Sequence, residues 1–188
     1  GLALFMMNIA MYPQVEEFIA VGQQTFMRLK YAPFPVVSAP SGMALGGGCE
    51  SLLSSDAIQA HAEAYTGLVE VGVGVIPGWG GCKELILRFQ EREREKFKKD
   101  LGKIDKKNLW FSPDVTPMGA TRKAFETIAV ATVAKSAFEA VDIGYFRESD
   151  SITMNRDRLL FDAKKRALEL AQNYEQKQKV TAIRMPGP

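Results

Sequence analysis

The chain has 188 residues, 46% hydrophobic and 24% charged, a composition that fits one globular domain and excludes general disorder. Its net charge of +2 is too small for a nucleic-acid footprint and does not repel a phosphorylated ligand. Two cysteines, Cys49 and Cys82, and one histidine, His61, exclude a disulfide framework and a clustered metal site, and fit a reducing, cytoplasmic compartment.

In chain order, the apolar opening Gly1-Leu2-Ala3-Leu4-Phe5-Met6-Met7 is too short to cross a bilayer. It lacks the basic start and cleavage site of a signal peptide, so a membrane is not an expected partner. The start without Met and the ending Met185-Pro186-Gly187-Pro188 read as cut ends of a longer protein. Val15, Phe18, Ile19, Gly22, Phe26 and Leu29 recur at helical spacing and predict a helix over 14–30, ended by Pro33 and Pro35. Phe34 to Ala39 is rich in valine and predicts a buried strand. Gly42 to Gly48 holds four glycines in seven residues and predicts a turn, with a helix from Cys49 to Ser54. Ala57 to Ala62 alternates and predicts a second strand.

Residues 65–81 are Gly-rich, aromatic and nearly uncharged, too apolar for a solvated loop, and are expected to pack around something. A helix is predicted from Cys82 to Phe89, running on into the charge run from Glu91 to Lys107. That run reads as a solvated helical face, with Glu95 and Lys99 spaced for an i,i+4 pair. Ser112-Pro113-Asp114-Val115-Thr116-Pro117 predicts a turn or linker. Residues 120–141 and 155–174 are helical by period, with Asn173 as a candidate stop. The order predicts an α/β fold with parallel strands and crossovers, followed by a nearly all-helical tail. The expected division is a catalytic core over 1–118 and a helical C-terminal region over 119–188.

The run Gly42-Met43-Ala44-Leu45-Gly46-Gly47-Gly48-Cys49-Glu50 carries the most chemistry. Consecutive glycines let a ligand approach the backbone closely. The helix that follows offers unpaired N–H groups and the positive end of its dipole. Such donors can hold the oxygen of a carbonyl whose neighbouring carbon is being attacked, worth about 3–4 kcal/mol in the barrier. Glu50 in the first turn has two open readings, complement of the dipole or catalytic group. Glu70, twenty residues on, is the only acid between Ala64 and Cys82. So apolar a setting predicts a raised pKa suited to proton transfer, with a structural carboxylate as the other reading.

The run Pro35-Val36-Val37-Ser38-Ala39-Pro40-Ser41-Gly42-Met43-Ala44-Leu45-Gly46-Gly47-Gly48-Cys49-Glu50 resembles the signature of the crotonase, or enoyl-CoA hydratase/isomerase, superfamily. Gly67-Leu68-Val69-Glu70-Val71-Gly72-Val73-Gly74-Val75-Ile76-Pro77-Gly78-Trp79-Gly80-Gly81 continues the resemblance in register, which is close from about Pro33 to Leu87. It implies a spiral of ββα units with a helical C-terminal region, truncated at its start. It also implies hydration of 2-enoyl-CoA in fatty-acid β-oxidation, with Δ3,Δ2-isomerisation and a non-catalytic CoA-binding or assembly fragment as alternatives. Gly47 then matches the residue whose N–H forms half of the oxyanion hole. Glu50 matches the base that activates water, and Glu70 the group that holds it and delivers a proton to C2. Gly78 matches a glycine whose N–H touches that water. Leu45, Gly46, Gly78 and Trp79 are the candidate substrate-binding residues, Trp79 either lining the acyl pocket or simply packing.

The family's other oxyanion donor comes from an earlier loop, for which Gly1-Leu2-Ala3-Leu4 is a poor substitute, so the chain is expected to hold half of the hole. Glu91 to Asp114 and Ser151 to Leu160 are similar to the crotonase-like part of bacterial proteins that join it to a 3-hydroxyacyl-CoA dehydrogenase. The partners implied are an acyl-CoA substrate and other copies of the chain, as a trimer or a multiple of one. No cofactor is expected in this chain. Gly72-Val73-Gly74-Val75-Ile76-Pro77 fails as a dinucleotide fingerprint, so NAD would bind only a fused dehydrogenase. Cys49, Cys82 and His61 are read as structural, and Ala44 at the centre of Gly42–Gly46 excludes a serine nucleophile elbow.

Overall fold

The structure, a computed structural model, describes residues 11–101 and 117–179. The expected linker falls almost wholly outside them, as do the apolar opening and the end of the charge run. Helix α1 spans Tyr12–Lys30. Pro13 in its first turn costs no hydrogen bond, because the first N–H groups of a helix have no acceptor. Arg28 and Lys30 in its last turn complement the dipole. It stops before Pro33, as its sequence predicts.

Strand β1 (Val37–Ser38) leads to β2 (Met43–Leu45), helix α2 (Gly47–Leu53), β3 (Ala57–His61) and β4 (Tyr65–Gly67). The turn expected over 42–48 therefore contains a short strand. Met43, Ala44 and Leu45 pair in parallel with Tyr65, Thr66 and Gly67. β1 and β3 are also parallel, with Val37 opposite Ala57. All five residues of β3 are buried despite their alternation, because the strand is central in its sheet and the helix Leu159–Ala171 packs against it. Such strands have no solvent face.

A 3-10 turn at Glu70–Val73 precedes helix α3, Gly81–Leu101. The charge run thus continues one helix, but its pairing differs from the expected one. Glu95 takes Lys98 at 2.7 Å, and Lys99 reaches Glu148 at 3.1 Å. The single helix expected over 120–141 is two, α4 (Pro117–Ala129) and α5 (Ala137–Ile143). Ala131 has φ +50° between them, outside helical space. Ala134 there exchanges backbone hydrogen bonds with Thr66 of β4, at 2.8 and 3.1 Å. The tail also supplies a strand, β5 (Ser151–Thr153), parallel to β3 with Gln59 opposite Ser151. It joins the three-stranded sheet of order β1-β3-β5. Helix α6 (Leu159–Ala171) ends the set, and Asn173 stands in the turn after it.

The core joins both halves of the chain. Leu52, Leu53 and Ile58 pack with Leu85 and Phe89 of α3, and with the small buried faces of α4 and α5 at Ala120, Ala124, Ala137 and Ala140. Alanines let these helices approach closely, and each buried Leu or Phe is worth about 1.5–3 kcal/mol. Arg88 of α3 runs through this core with its side chain 4% exposed. Its guanidinium donates to Leu52 O and Leu53 O at 3.3 Å, closing the C-terminal end of α2, and to Tyr145 O at 2.9 Å. Asp150 lies 3.6 Å from it. Burial is the main cause that lowers Arg88 to about 10, and the Arg147 charge adds to it. Gly144 closes α5 at φ +108°, where a Cβ would lie 2.5 Å from Phe89 Cε1. Among the described residues no helix is long and apolar enough to cross a membrane.

Candidate active site

The two glutamates approach each other around the N-terminal end of α2. Gly46 caps this helix at φ +56° and ψ −124°, a conformation that favours glycine. Its N–H is already used, donating to Gly67 O at 2.8 Å. This bond extends the β2–β4 ladder by one residue and fixes where α2 begins. Gly47, the first helical residue, has an N–H with no acceptor within its own helix.

Glu50 projects from the first turn and is 3% exposed. Its Oε1 accepts the N–H groups of Trp79 and Gly81, both at 2.9 Å. Burial pushes its carboxyl up from the ordinary value, and these two amides partly offset the rise. Its place therefore reflects more than the helix dipole, since a loop wraps its carboxylate.

Glu70 starts the 3-10 turn after β4. Both its carboxylate oxygens are enclosed, and neither has a hydrogen-bond partner. One lies beside Gly46, where a Cβ would sit 3.4 Å from Oε1. Burial is the main cause that raises Glu70. The Glu50 charge raises it further, and nearby backbone amides oppose the rise without hydrogen-bonding it. Two such carboxyls can hold one proton between them and exchange it with a bound water.

Of the other candidates, Leu45 ends β2 opposite Gly67. Gly78 accepts the Gln23 side-chain amide at its carbonyl, 2.8 Å away. Trp79 stands against the Gly47 backbone, where a Cβ would meet Trp79 Cζ3 at 2.7 Å. Phe18 and Phe26 pack on the indole with ring centroids 5.2 and 5.4 Å away. The predicted site residues are thus gathered around the Gly46–Gly47 turn, from β2, α2 and the loop before α3.

Sequence reasoning missed the role of Gly81 and the Trp79 backbone as partners of Glu50. The available signal was the glycine-rich start of α3, which leaves N–H groups free to point back at a carboxylate. It also missed Tyr145, whose fully buried hydroxyl accepts from Leu68 N at 3.2 Å and donates to Thr132 O at 2.8 Å. This braces the strand end that leads to Glu70.

Cys49 is buried, and burial pushes its thiol up to about 12. Cys82 is half-buried and also raised by burial. His61 takes the Glu63 N–H at Nδ1, 3.3 Å away. Among the described residues no group of three or more His, Cys, Asp or Glu could hold a metal ion. A cavity of about 830 Å³ lies elsewhere, lined by Arg88, Arg92, Lys96, Asp142, Arg147 and Glu148 among others. It includes neither Glu50 nor Glu70.

Residues 1–95 match the family model described as enoyl-CoA hydratase/isomerase. The chain is 42% identical over 172 residues to the "Probable 3-hydroxyacyl-CoA dehydrogenase" of Bacillus subtilis (strain 168), covering 90% of this chain and 19% of that protein. It is 41% identical over 81 residues to the "Crotonyl-CoA hydratase" of Syntrophomonas wolfei, covering 43% of this chain and 31% of that one. Among solved structures, an enoyl-CoA hydratase from Bacillus anthracis superposes with a TM-score of 0.62 at 26% identity, over 86% of this chain and 49% of that one. The chain therefore spans between about a fifth and a half of these proteins.

Proposed function

Because the chain belongs to the enoyl-CoA hydratase/isomerase family, we propose that it adds water across the C2–C3 double bond of 2-enoyl-CoA thioesters in fatty-acid β-oxidation. The observation that carries this reading is the pair of buried carboxyls, Glu50 and Glu70, both raised by burial and set about one glycine turn. In the proposed step Glu50 takes a proton from water as its oxygen bonds to C3. Electrons from the double bond move to the thioester oxygen, giving an enolate. The Gly47 N–H carries part of that charge, and the dipole of α2 supports it. Glu70 helps hold the water and supplies the proton that C2 takes up. Leu45, Gly46, Gly78 and Trp79 line the substrate. Both carboxyls take part in hydration, whereas double-bond isomerisation tends to need one, and the presence of both favours the hydratase.

The likeness to a protein named as a 3-hydroxyacyl-CoA dehydrogenase over 90% of this chain supports a wider reading. Here the chain is the hydratase part of a multifunctional protein, with NAD used only by a dehydrogenase part. Residues 1–118 form the catalytic core and 119–188 the region through which copies join as trimers. The assembly works in the cytoplasm.

The test is loss of the enoyl-thioester ultraviolet absorbance on mixing with crotonyl-CoA, with Glu50→Gln and Glu70→Gln alongside. Turnover that either substitution abolishes is the expected result. Full activity in either variant would overturn the two-carboxyl mechanism. No turnover by the chain, nor by one extended upstream with the family's other donor loop, would overturn the hydratase reading.

A further inference from the structure

The ring of Trp79 bridges two glycines from distant parts of the chain. Its six-membered edge faces Gly47, and its five-membered edge faces Gly22 in the middle of α1. A Cβ on Gly22 would lie 2.1 Å from Nε1 and 2.3 Å from Cε2, far inside contact distance for a rigid ring. Phe18 and Phe26, one turn to either side of Gly22, close on the indole. Its buried Nε1 has no hydrogen-bond partner, so shape rather than polarity seats it.

Helix α1 has little room to retreat. Gln23 donates to Gly78 O at 2.8 Å, one residue before Trp79. Lys30 pairs with the buried Glu84 of α3. At its C-terminal end, Tyr174 donates to Ala32 O at 3.2 Å and Gln176 to Tyr31 O at 2.8 Å.

We propose that Gly22 is a positioning residue: it forms the seat for the Trp79 indole, and the seated ring holds loop 77–81 so that the Trp79 and Gly81 N–H groups grip the Glu50 carboxylate. The chain of contact runs from α1 to the ring, from the ring to its own backbone N–H, and from there to Glu50 Oε1. A glycine in the middle of a helix otherwise weakens it, and here it makes space for the ring. The catalytic consequence rests on the hydratase reading, whereas the grip on the carboxylate does not.

The test substitutes Gly22→Ala, which favours the helix but excludes the ring. Hydrogen exchange of the Trp79 and Gly81 amides is followed by NMR, with Ile58 N, which donates to Asp150 at 2.8 Å, as internal reference. Exchange at both amides is expected to speed up at least about tenfold with Ile58 unchanged, as the buried bonds open locally. The double variant Gly22→Ala/Trp79→Phe, with a smaller ring for the smaller seat, is expected to regain part of the protection. With crotonyl-CoA, Gly22→Ala is expected to lower kcat by on the order of 10²-fold with little change in KM, the size of effect of a displacement near 1 Å. Wild-type protection at both amides in a folded Gly22→Ala variant would overturn the proposal. If that variant does not fold, Trp79→Ala decides: faster exchange supports the seat and unchanged exchange refutes it. Absence of turnover both in the wild-type chain and in one extended upstream would count against the hydratase reading alone, because the exchange result stands without it.

Discussion

Replacing Glu70 with Gln should stabilise the protein at pH 8 while removing its activity. In the folded chain both carboxylate oxygens are enclosed without a partner, and the Glu50 charge lies near. Both conditions penalise the ionised form, so the carboxyl is raised above its ordinary value of 4.5. Below that value the group is protonated in folded and unfolded chains alike and contributes no difference. Between the ordinary and the raised value the folded chain binds more protons than the unfolded one, so stability falls as pH rises. Above the raised value the full cost remains. Gln is neutral throughout and escapes it.

An enclosed polar group without a partner costs about 1–3 kcal/mol, and more when charged. The Gln amide inherits part of that cost, which leaves a net gain of about 1 kcal/mol. In a chain of this size that corresponds to a Tm rise of about 2–4 °C. Thermal unfolding followed by circular dichroism between pH 4 and pH 8 should show the variant ahead at pH 8 and level with the parent at pH 4. Hydration of crotonyl-CoA should fall by about 10²–10⁴-fold, the range for loss of a general acid or base. A lower Tm at pH 8, or an equal gain at both pH values, would refute the account of a buried charge.

Arg88→Met should destabilise strongly, by about 3–5 kcal/mol, because Asp150 and the carbonyls of Leu52, Leu53 and Tyr145 lose their buried donor. The denaturant midpoint reports it. Tyr145→Phe removes only the hydroxyl shared by Leu68 N and Thr132 O and should cost about 1–3 kcal/mol on the same measurement. Cys49, buried with its thiol near 12, should resist iodoacetamide at pH 8 in the folded chain and react only on unfolding. Mass spectrometry of the labelled peptides distinguishes it from Cys82.

Much of the local structure was legible because its signals are local. The stripe from Val15 to Leu29 with prolines beyond it defines α1, and the glycines before Cys49 mark the start of α2. The strands β2 and β5 were not legible. Each has three residues, too few for alternation to show, and each exists because a partner strand lies beside it. The break between α4 and α5 was hidden as well. An alanine at φ +50° carries no sequence signal, and the break is held by Ala134 pairing with Thr66. Nothing in the predicted helix from Cys82 to Phe89 singled out Arg88, yet the fold turns its side chain into the core to cap α2.

The same division applies to the site. The sequence by itself determined which chemistry is on offer, two carboxyls twenty residues apart and a glycine turn between a strand and a helix, because residue type and spacing are properties of the chain. Only the tertiary structure decided how those groups are tuned. Glu50 is gripped by two amides from a loop 29 and 31 residues away, and Glu70 is left without a donor. The grip depends on a ring seated against a helix still further off in sequence. Burial and hydrogen bonding set the proton affinity of a carboxyl, and both depend on which distant segments the fold brings together.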